Sequence, residues 1–173
     1  LDKQVLAHNP DLIIVCFGLN DVNGSLEDYI ASLNTIFTKC IEKGIDTVFM
    51  TPNMLNTYVA PDTNKQHLEY AAKTAEFQNS GKMDLFMENS VNLAKEMGIS
   101  VCDCYYEWKK LNKTTDTTML LENRINHPTR EMHKLFADKL FSLLIDEKND
   151  FNNNSDTMWN REEERACNGT ERY

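Results

Sequence analysis

The sequence predicts one α/β domain over residues 1–145, a parallel sheet covered by helices on both faces. Three observations carry that prediction: short β-branched apolar runs closed by Gly or Pro, longer stretches with apolar residues at helical spacing, and their regular alternation. Asp11-Leu-Ile-Ile-Val-Cys-Phe-Gly18 is a continuous apolar run and reads as a strand buried on both faces. Leu26, Tyr29, Ile30, Leu33, Phe37, Cys40 and Ile41 then recur at helical spacing, with Gly44 as the stop. Thr47-Val-Phe-Met50 is a second strand, ended by Thr51-Pro52. Residues 53–82 are ambiguous and include a helical stretch around 65–77 that could form a lid beside a site. Met83, Phe86, Met87, Val91, Ala94 and Met97 form the next helical stripe, before Gly98. Ile99-Ser-Val-Cys-Asp103 is the third strand, with Cys102 and Cys104 on one side of it and Asp103 on the other. Trp108 follows on a short helix and reads as core. The last helix is expected to begin at Pro128, a residue suited to a first helical turn, and to carry Met132, Leu135, Phe136, Leu140, Leu143 and Leu144.

Composition narrows the function. The formal charge is −9 and no Lys/Arg cluster interrupts the acidic balance. Phosphate neutralisation needs such a cluster, so nucleic acid is a poor partner. No apolar run approaches the roughly 20 residues that cross a bilayer. The cysteines (Cys16, Cys40, Cys102, Cys104, Cys167) are odd in number and lack a Cys-x-x-Cys, which favours a reduced, cytoplasmic-type chain in which thiols act as small hydrophobes. Residues 146–173 hold eight acids and four bases with few apolar residues, and read as an acidic, disordered tail. Three strands are few for a doubly wound sheet, which usually has about five, and the first would present an apolar edge to water. The expectation is that this chain is the downstream part of a longer protein.

Ligands of open parallel sheets bind beyond the carboxyl ends of the strands. The first strand delivers Gly18-Leu19-Asn20-Asp21 there, and the loop before the last helix delivers Asn123-Arg124-Ile125-Asn126-His127-Pro128. A carboxamide and an imidazole meeting at one rim suit acyl transfer. Asn20 can donate to a developing oxyanion, and His127 can take a proton from a hydroxyl nucleophile. Taken singly, Gly-x-Asn-Asp after a strand is commonly a turn and a His before Pro a cap. Their joint placement favours chemistry. His127 and His133 lie six apart and do not share a helix face as metal ligands, and His8 and His67 read as solvated. Cys102 and Cys104 lack a second ligand pair, so no metal or organic cofactor is expected.

These residues resemble the SGNH (GDSL-like) hydrolases over roughly residues 5–144. Asn9-Pro-Asp-Leu-Ile-Ile-Val-Cys-Phe-Gly-Leu-Asn-Asp21 is similar to that family's third block, in which the Asn is an oxyanion donor. Thr51-Pro52-Asn53 is similar to a Thr-Pro segment often seen there. Asn126-His127-Pro128, followed by His133, Phe136 and Ala137, resembles the fifth block with its catalytic His. The resemblance implies a flavodoxin-like three-layer fold and a serine esterase acting on acyl esters of carbohydrates, lipids or small molecules. It implies His127 and Asn20 as catalytic residues, with Gly18 and Asp21 shaping the oxyanion loop. Two departures stand out. The family's Gly-Asp-Ser nucleophile and its Gly oxyanion donor belong to blocks that would precede Leu1. The acid usually found three residues before the His is here Arg124, which cannot accept a hydrogen bond. Asn123 or Glu122 could substitute, or the enzyme could work with a Ser–His pair and a backbone carbonyl. The rival reading is a non-catalytic α/β module that keeps the sheet.

Overall fold

The structure is a computed structural model that describes residues 1–145 of the 173; the acidic stretch 146–173, with Cys167, lies outside the described residues. Three strands, β1 (Leu12–Val15), β2 (Asp46–Met50) and β3 (Ser100–Cys102), form one parallel sheet in the order β1-β2-β3. Val15 pairs with Phe49, and Phe49 with Val101. Parallel neighbours need crossovers, and these are helical. α1 (Leu26–Glu42) joins β1 to β2; α2 (Leu68–Asn79) and α3 (Lys82–Glu96) lie between β2 and β3. α4 (Cys104–Leu111) and α5 (His133–Ile145) follow.

Local chemistry explains the boundaries. Ser25 accepts the Asp28 N–H and opens α1, with Glu27 and Asp28 in the positive first turn. The stripe read from the sequence buries Tyr29, Leu33, Phe37 and Cys40; each large apolar member contributes about 1.5–3 kcal/mol. α1 and α3 close with the same paired bonds. Ile45 N–H reaches Cys40 O (3.0 Å) and Gly44 N–H reaches Ile41 O (2.9 Å); Ile99 and Gly98 repeat this on Ala94 and Lys95. Both helices thereby hand the chain straight to the next strand. The core on this side of the sheet joins Val15, Phe37, Phe49, Phe86, Met87 and Val91. On the opposite side Leu135, Phe136, Leu140, Leu143 and Leu144 of α5 lie over Val48, Cys102 and Cys104. The result is three layers.

The structure corrects four expectations. β1 is not buried on both faces: it is an edge strand, with Leu12 39% and Ile14 42% exposed and Cys16 exposed beyond it. α5 starts at His133, not Pro128. Pro128 instead bridges Leu121 antiparallel, where its missing N–H costs nothing, and Thr129 N–H donates to Leu120 O at 2.9 Å. Cys104 is not on the strand; it is the first residue of α4, although its sulfur still lies 3.8 Å from that of Cys102. Asp103, read as the last strand residue, is the N-cap of α4 and accepts from Tyr106 N–H (3.0 Å) and the Thr51 hydroxyl (2.9 Å). Burial pushes its carboxyl above the usual range, against the pull of those two bonds. Trp108 is fully buried, as read from the sequence.

Candidate functional site at the carboxyl rim of the sheet

Beyond β1 the chain makes a tight turn that only glycine fits. Gly18 has φ +133°, and a Cβ there would stand 2.5 Å from Met87 Cε and 3.3 Å from the Tyr29 hydroxyl. Its N–H donates to Asp21 Oδ2 (2.9 Å), its carbonyl accepts Val22 N–H (3.1 Å), and Tyr29 donates to Phe17 O (3.2 Å). Burial raises the Tyr29 hydroxyl's pKa, so that hydroxyl stays a donor. Asp21 is thus used up in shaping the turn. Asn20 sits exposed at its crest, and its backbone carbonyl takes both the N–H and the carboxamide of Asn23. The Asn20 carboxamide has no hydrogen-bond partner among the described residues.

The second loop is built around Asn123. Its Oδ1 accepts three backbone N–H groups, from Ile125, Asn126 and His127, each at 3.0 Å, and its Nδ2 donates to Asn126 Oδ1. One side chain therefore fixes the backbone leading into His127. That removes Asn123 as an orienting partner for the imidazole, because both of its polar atoms are occupied. Glu122 is exposed, and its backbone N–H closes the loop on His127 O at 2.7 Å. Arg124, with φ +58°, turns away: its Nε meets both oxygens of Asp62 (3.2 and 3.0 Å), and its Nη1 donates to Leu121 O and Met119 O. His127 is exposed, and its imidazole has no hydrogen-bond or ion-pair partner among the described residues. His133 is also exposed and stacks loosely on Phe136.

The segment after β2 joins the two loops. Pro52 Cγ lies 3.4 Å from the Cβ position of Gly18, and Asn53 donates from Nδ2 to Met54 O (2.8 Å) and Asn126 O (2.9 Å). The Asn20 and His127 loops therefore flank one short stretch, Pro52-Asn53, at the carboxyl ends of adjacent strands. A second path runs round the outside. Asn23 Nδ2 reaches the Tyr70 hydroxyl on α2, Asn56 binds Ala71 O and the Thr74 hydroxyl of α2, and Asn56 N–H donates to Ile125 O. α2 is tied into this collar rather than lying over the rim as a detached lid. Sequence reading missed Asn53, Asn56 and Asn123 as organisers. Their only signal was an Asn a few residues beyond a strand end or before the His. Among the described residues, no group of three or more His, Cys, Asp or Glu side chains could hold a metal ion, and no helix is long and apolar enough to cross a membrane.

Comparison with known proteins shows a shared fold and nothing beyond it. No protein-family model matches the sequence, and no curated protein matches it. The solved structures it resembles share this α/β fold and are hydrolases. An acetylxylan esterase from Geobacillus stearothermophilus superposes with TM-score 0.62 at 18% identity, over 81% of this chain and 62% of that one. Another acetyl xylan esterase gives TM-score 0.61 at 19% identity, over 83% and 72%. An α/β hydrolase enzyme from the metagenome of Lake Arreo, Spain, gives 0.59 at 16%, over 82% and 63%. The chain thus spans less than two thirds of the length of the Geobacillus and Lake Arreo enzymes.

Proposed function

We propose that this chain is the base-bearing and oxyanion-bearing portion of a serine ester hydrolase of SGNH type, acting on short acyl esters, acetyl groups on carbohydrate first among them. The observation that carries the reading is the convergence of the Asn20 and His127 loops on Pro52-Asn53 at the carboxyl rim. The fold is shared with solved acetylxylan esterases, of which one is described as a catalytic mutant at a serine and another as a catalytic mutant at a histidine. In the proposed reaction a serine outside these 173 residues attacks the ester carbonyl while His127 takes its proton. The Asn20 carboxamide donates to the tetrahedral oxyanion. Collapse breaks the C–O bond and His127 returns the proton to the leaving alkoxide. Water then repeats the sequence on the acyl-enzyme and releases the carboxylic acid. No metal or organic cofactor enters these steps.

Two observations support a nucleophile elsewhere. Ser25, Ser80 and Ser90 are engaged with their own helices' backbones. The β1 edge is apolar and, among the described residues, unpaired, as a strand awaiting a neighbour would be. The isolated 173-residue chain accordingly turns over no 4-nitrophenyl acetate above the buffer rate. A fluorophosphonate probe on the longer gene product labels a serine, and His127→Ala abolishes the labelling. Absence of labelling on a folded protein favours the second reading, a non-catalytic α/β binding module. That reading has its own support: Arg124 stands at the usual acid position and is committed to Asp62.

A further inference from the structure

The α5 face of the sheet carries a pair of thiols that the ester chemistry does not use. Cys102 ends β3, Cys104 opens α4, and both are buried. Asp103 between them has φ −83° and ψ 80°, close to an inverse γ-turn, so the chain folds back there instead of running on extended. Two residue steps span at most about 7 Å even when extended, so the turn brings the two Cα atoms inside the range a disulfide accepts. The sulfurs stand 3.8 Å apart, and side-chain rotation separates that contact from the roughly 2.0 Å of a disulfide. Cys40 is a contrasting thiol: it is equally buried, on α1, and has no sulfur neighbour among the described residues. The S–H donated by Cys104 holds the Cys102 thiol below its ordinary range, helped by the Lys139 ammonium and opposed by burial and the Asp103 carboxyl. The same bond, then burial, pushes the Cys104 thiol up. Lys139 is anchored to Glu107 Oε1 at 2.9 Å. The cover over the pair is α5, none of whose residues is fully buried.

We propose that Cys102 and Cys104 form an oxidative modification site, at which a hydroperoxide converts the pair to an intrachain disulfide with Cys102 as the attacking sulfur. The site stands independently of the ester reading. The Cys102 thiolate attacks the terminal oxygen of the hydroperoxide; the O–O bond breaks, and the departing alkoxide or hydroxide takes up a proton. Cys102 is then a sulfenic acid. The Cys104 sulfur attacks it, the S–O bond breaks, and the hydroxide leaves as water with the Cys104 proton. Two thiols lose two electrons and the peroxide gains them. A small uncharged oxidant suits a pair under one helix, whereas a bulky disulfide reagent needs an exposed sulfur, which neither cysteine offers. Cys16 is not an alternative partner. It follows Val15 and continues the register in which Val15 pairs with Phe49 and Met50 with Cys102, so Met50 stands between. Two strand spacings, about 9.5 Å, exceed the roughly 7 Å between Cα atoms that a disulfide can bridge.

The test treats the folded 173-residue chain, carrying Cys16→Ser and Cys167→Ser, with hydrogen peroxide. Remaining thiols are then blocked with iodoacetamide in urea, and tryptic peptides are weighed. The peptide Glu96–Lys109 holds both cysteines. It is expected to lose two hydrogens and resist alkylation, and to regain both alkylation sites after dithiothreitol, while Cys40 stays fully alkylated. Cys104→Ser should stop the reaction at a sulfenic acid on Cys102, captured by dimedone. Cys102→Ser should leave Cys104 about tenfold slower to take up dimedone, since its thiol holds its proton more tightly. Glu96–Lys109 taking two alkyl groups as in the untreated chain would overturn the proposal. So would Cys40 oxidising as fast as the pair, or Cys104 in the Cys102→Ser chain reacting as readily as Cys102 in the Cys104→Ser chain. The peptide map needs no substitution at the pair, so it decides the matter even if a serine variant fails to fold.

Discussion

Asn53 is the residue on which the geometry of the rim depends, and its replacement gives a quantitative test. It is 2% exposed, and its Nδ2 satisfies two carbonyls, Met54 O and Asn126 O. Truncation to Ala removes two hydrogen bonds worth about 1 kcal/mol each and leaves buried acceptors whose unmet desolvation adds about 1 kcal/mol or more. The expected loss is about 2–4 kcal/mol, or roughly 4–16 °C in Tm at about 2–4 °C per kcal/mol for a chain of this size. Urea unfolding followed by Trp fluorescence measures it, because Trp108 is fully buried. Asn53→Asp separates donor loss from cavity formation. It keeps the shape but turns a carboxylate toward two carbonyl oxygens, so at neutral pH it should cost more than Ala. Repulsion and burial raise that carboxyl's pKa in the folded state, so the stability it retains is present at acid pH and lost as pH rises. The local readout is the His127 imidazole, whose resonances should shift in both variants and stay fixed in surface controls. A loss below about 0.5 kcal/mol, or Asp costing less than Ala at pH 7, would refute the view that Asn53 clamps the His127 loop.

Three further outcomes follow from the same contacts. Gly18→Ala should destabilise by about 1–3 kcal/mol, because its Cβ meets Met87 Cε at 2.5 Å on a backbone at φ +133°. Combined with Met87→Ala, the penalty should fall short of the sum of the single losses, as a double-mutant cycle in urea would reveal. Asp103→Asn keeps the Oδ1 acceptor for Tyr106 N–H and the Thr51 hydroxyl but cannot ionise. Burial raises the Asp103 pKa, so the folded state holds its proton to higher pH than the unfolded chain does. The wild type therefore loses stability relative to Asp103→Asn as pH rises from the ordinary carboxylate range through the raised value; a wild type that gains stability relative to Asp103→Asn over that range would refute this. His127→Ala, at an exposed position, should change unfolding free energy by less than about 0.5 kcal/mol, so any loss of fluorophosphonate labelling would reflect chemistry rather than folding.

Much of the frame was legible in the chain because periodicity reports burial. The stripe Tyr29, Leu33, Phe37, Cys40 and the run at 47–50 each occupy the element read from them. Boundaries set by hydrogen bonding were less legible. Pro128 carried a helix-start signal, yet the pairing of Leu121 with Pro128 and the bond from Glu122 N–H to His127 O claim those residues for a clasp, and no propensity encodes a partner seven residues back. β1 illustrates the same limit on a larger scale. Its sequence reports that both faces are apolar, and only topology decides that, among the described residues, it lies at the sheet edge with Leu12 and Ile14 exposed.

The site divides in the same way. The motif residues Gly18, Asn20, Asp21 and His127 could be picked out because each follows a strand end or precedes a helix. What holds them could not, since Asn53, Asn56 and Asn123 act through backbone carbonyls and N–H groups that carry no side-chain identity. Arg124 makes the point from the other side. In sequence it is a missing acid; in the fold it is an anchor, with its guanidinium spread across Asp62, Met119 O and Leu121 O. An Asp at 124 would lose all of those bonds at once, leaving Asp62 unpaired and two carbonyls without a donor. The collar thus accounts for an arginine at this position on structural grounds. Asn123 and Asn53 between them hold the backbone that carries His127.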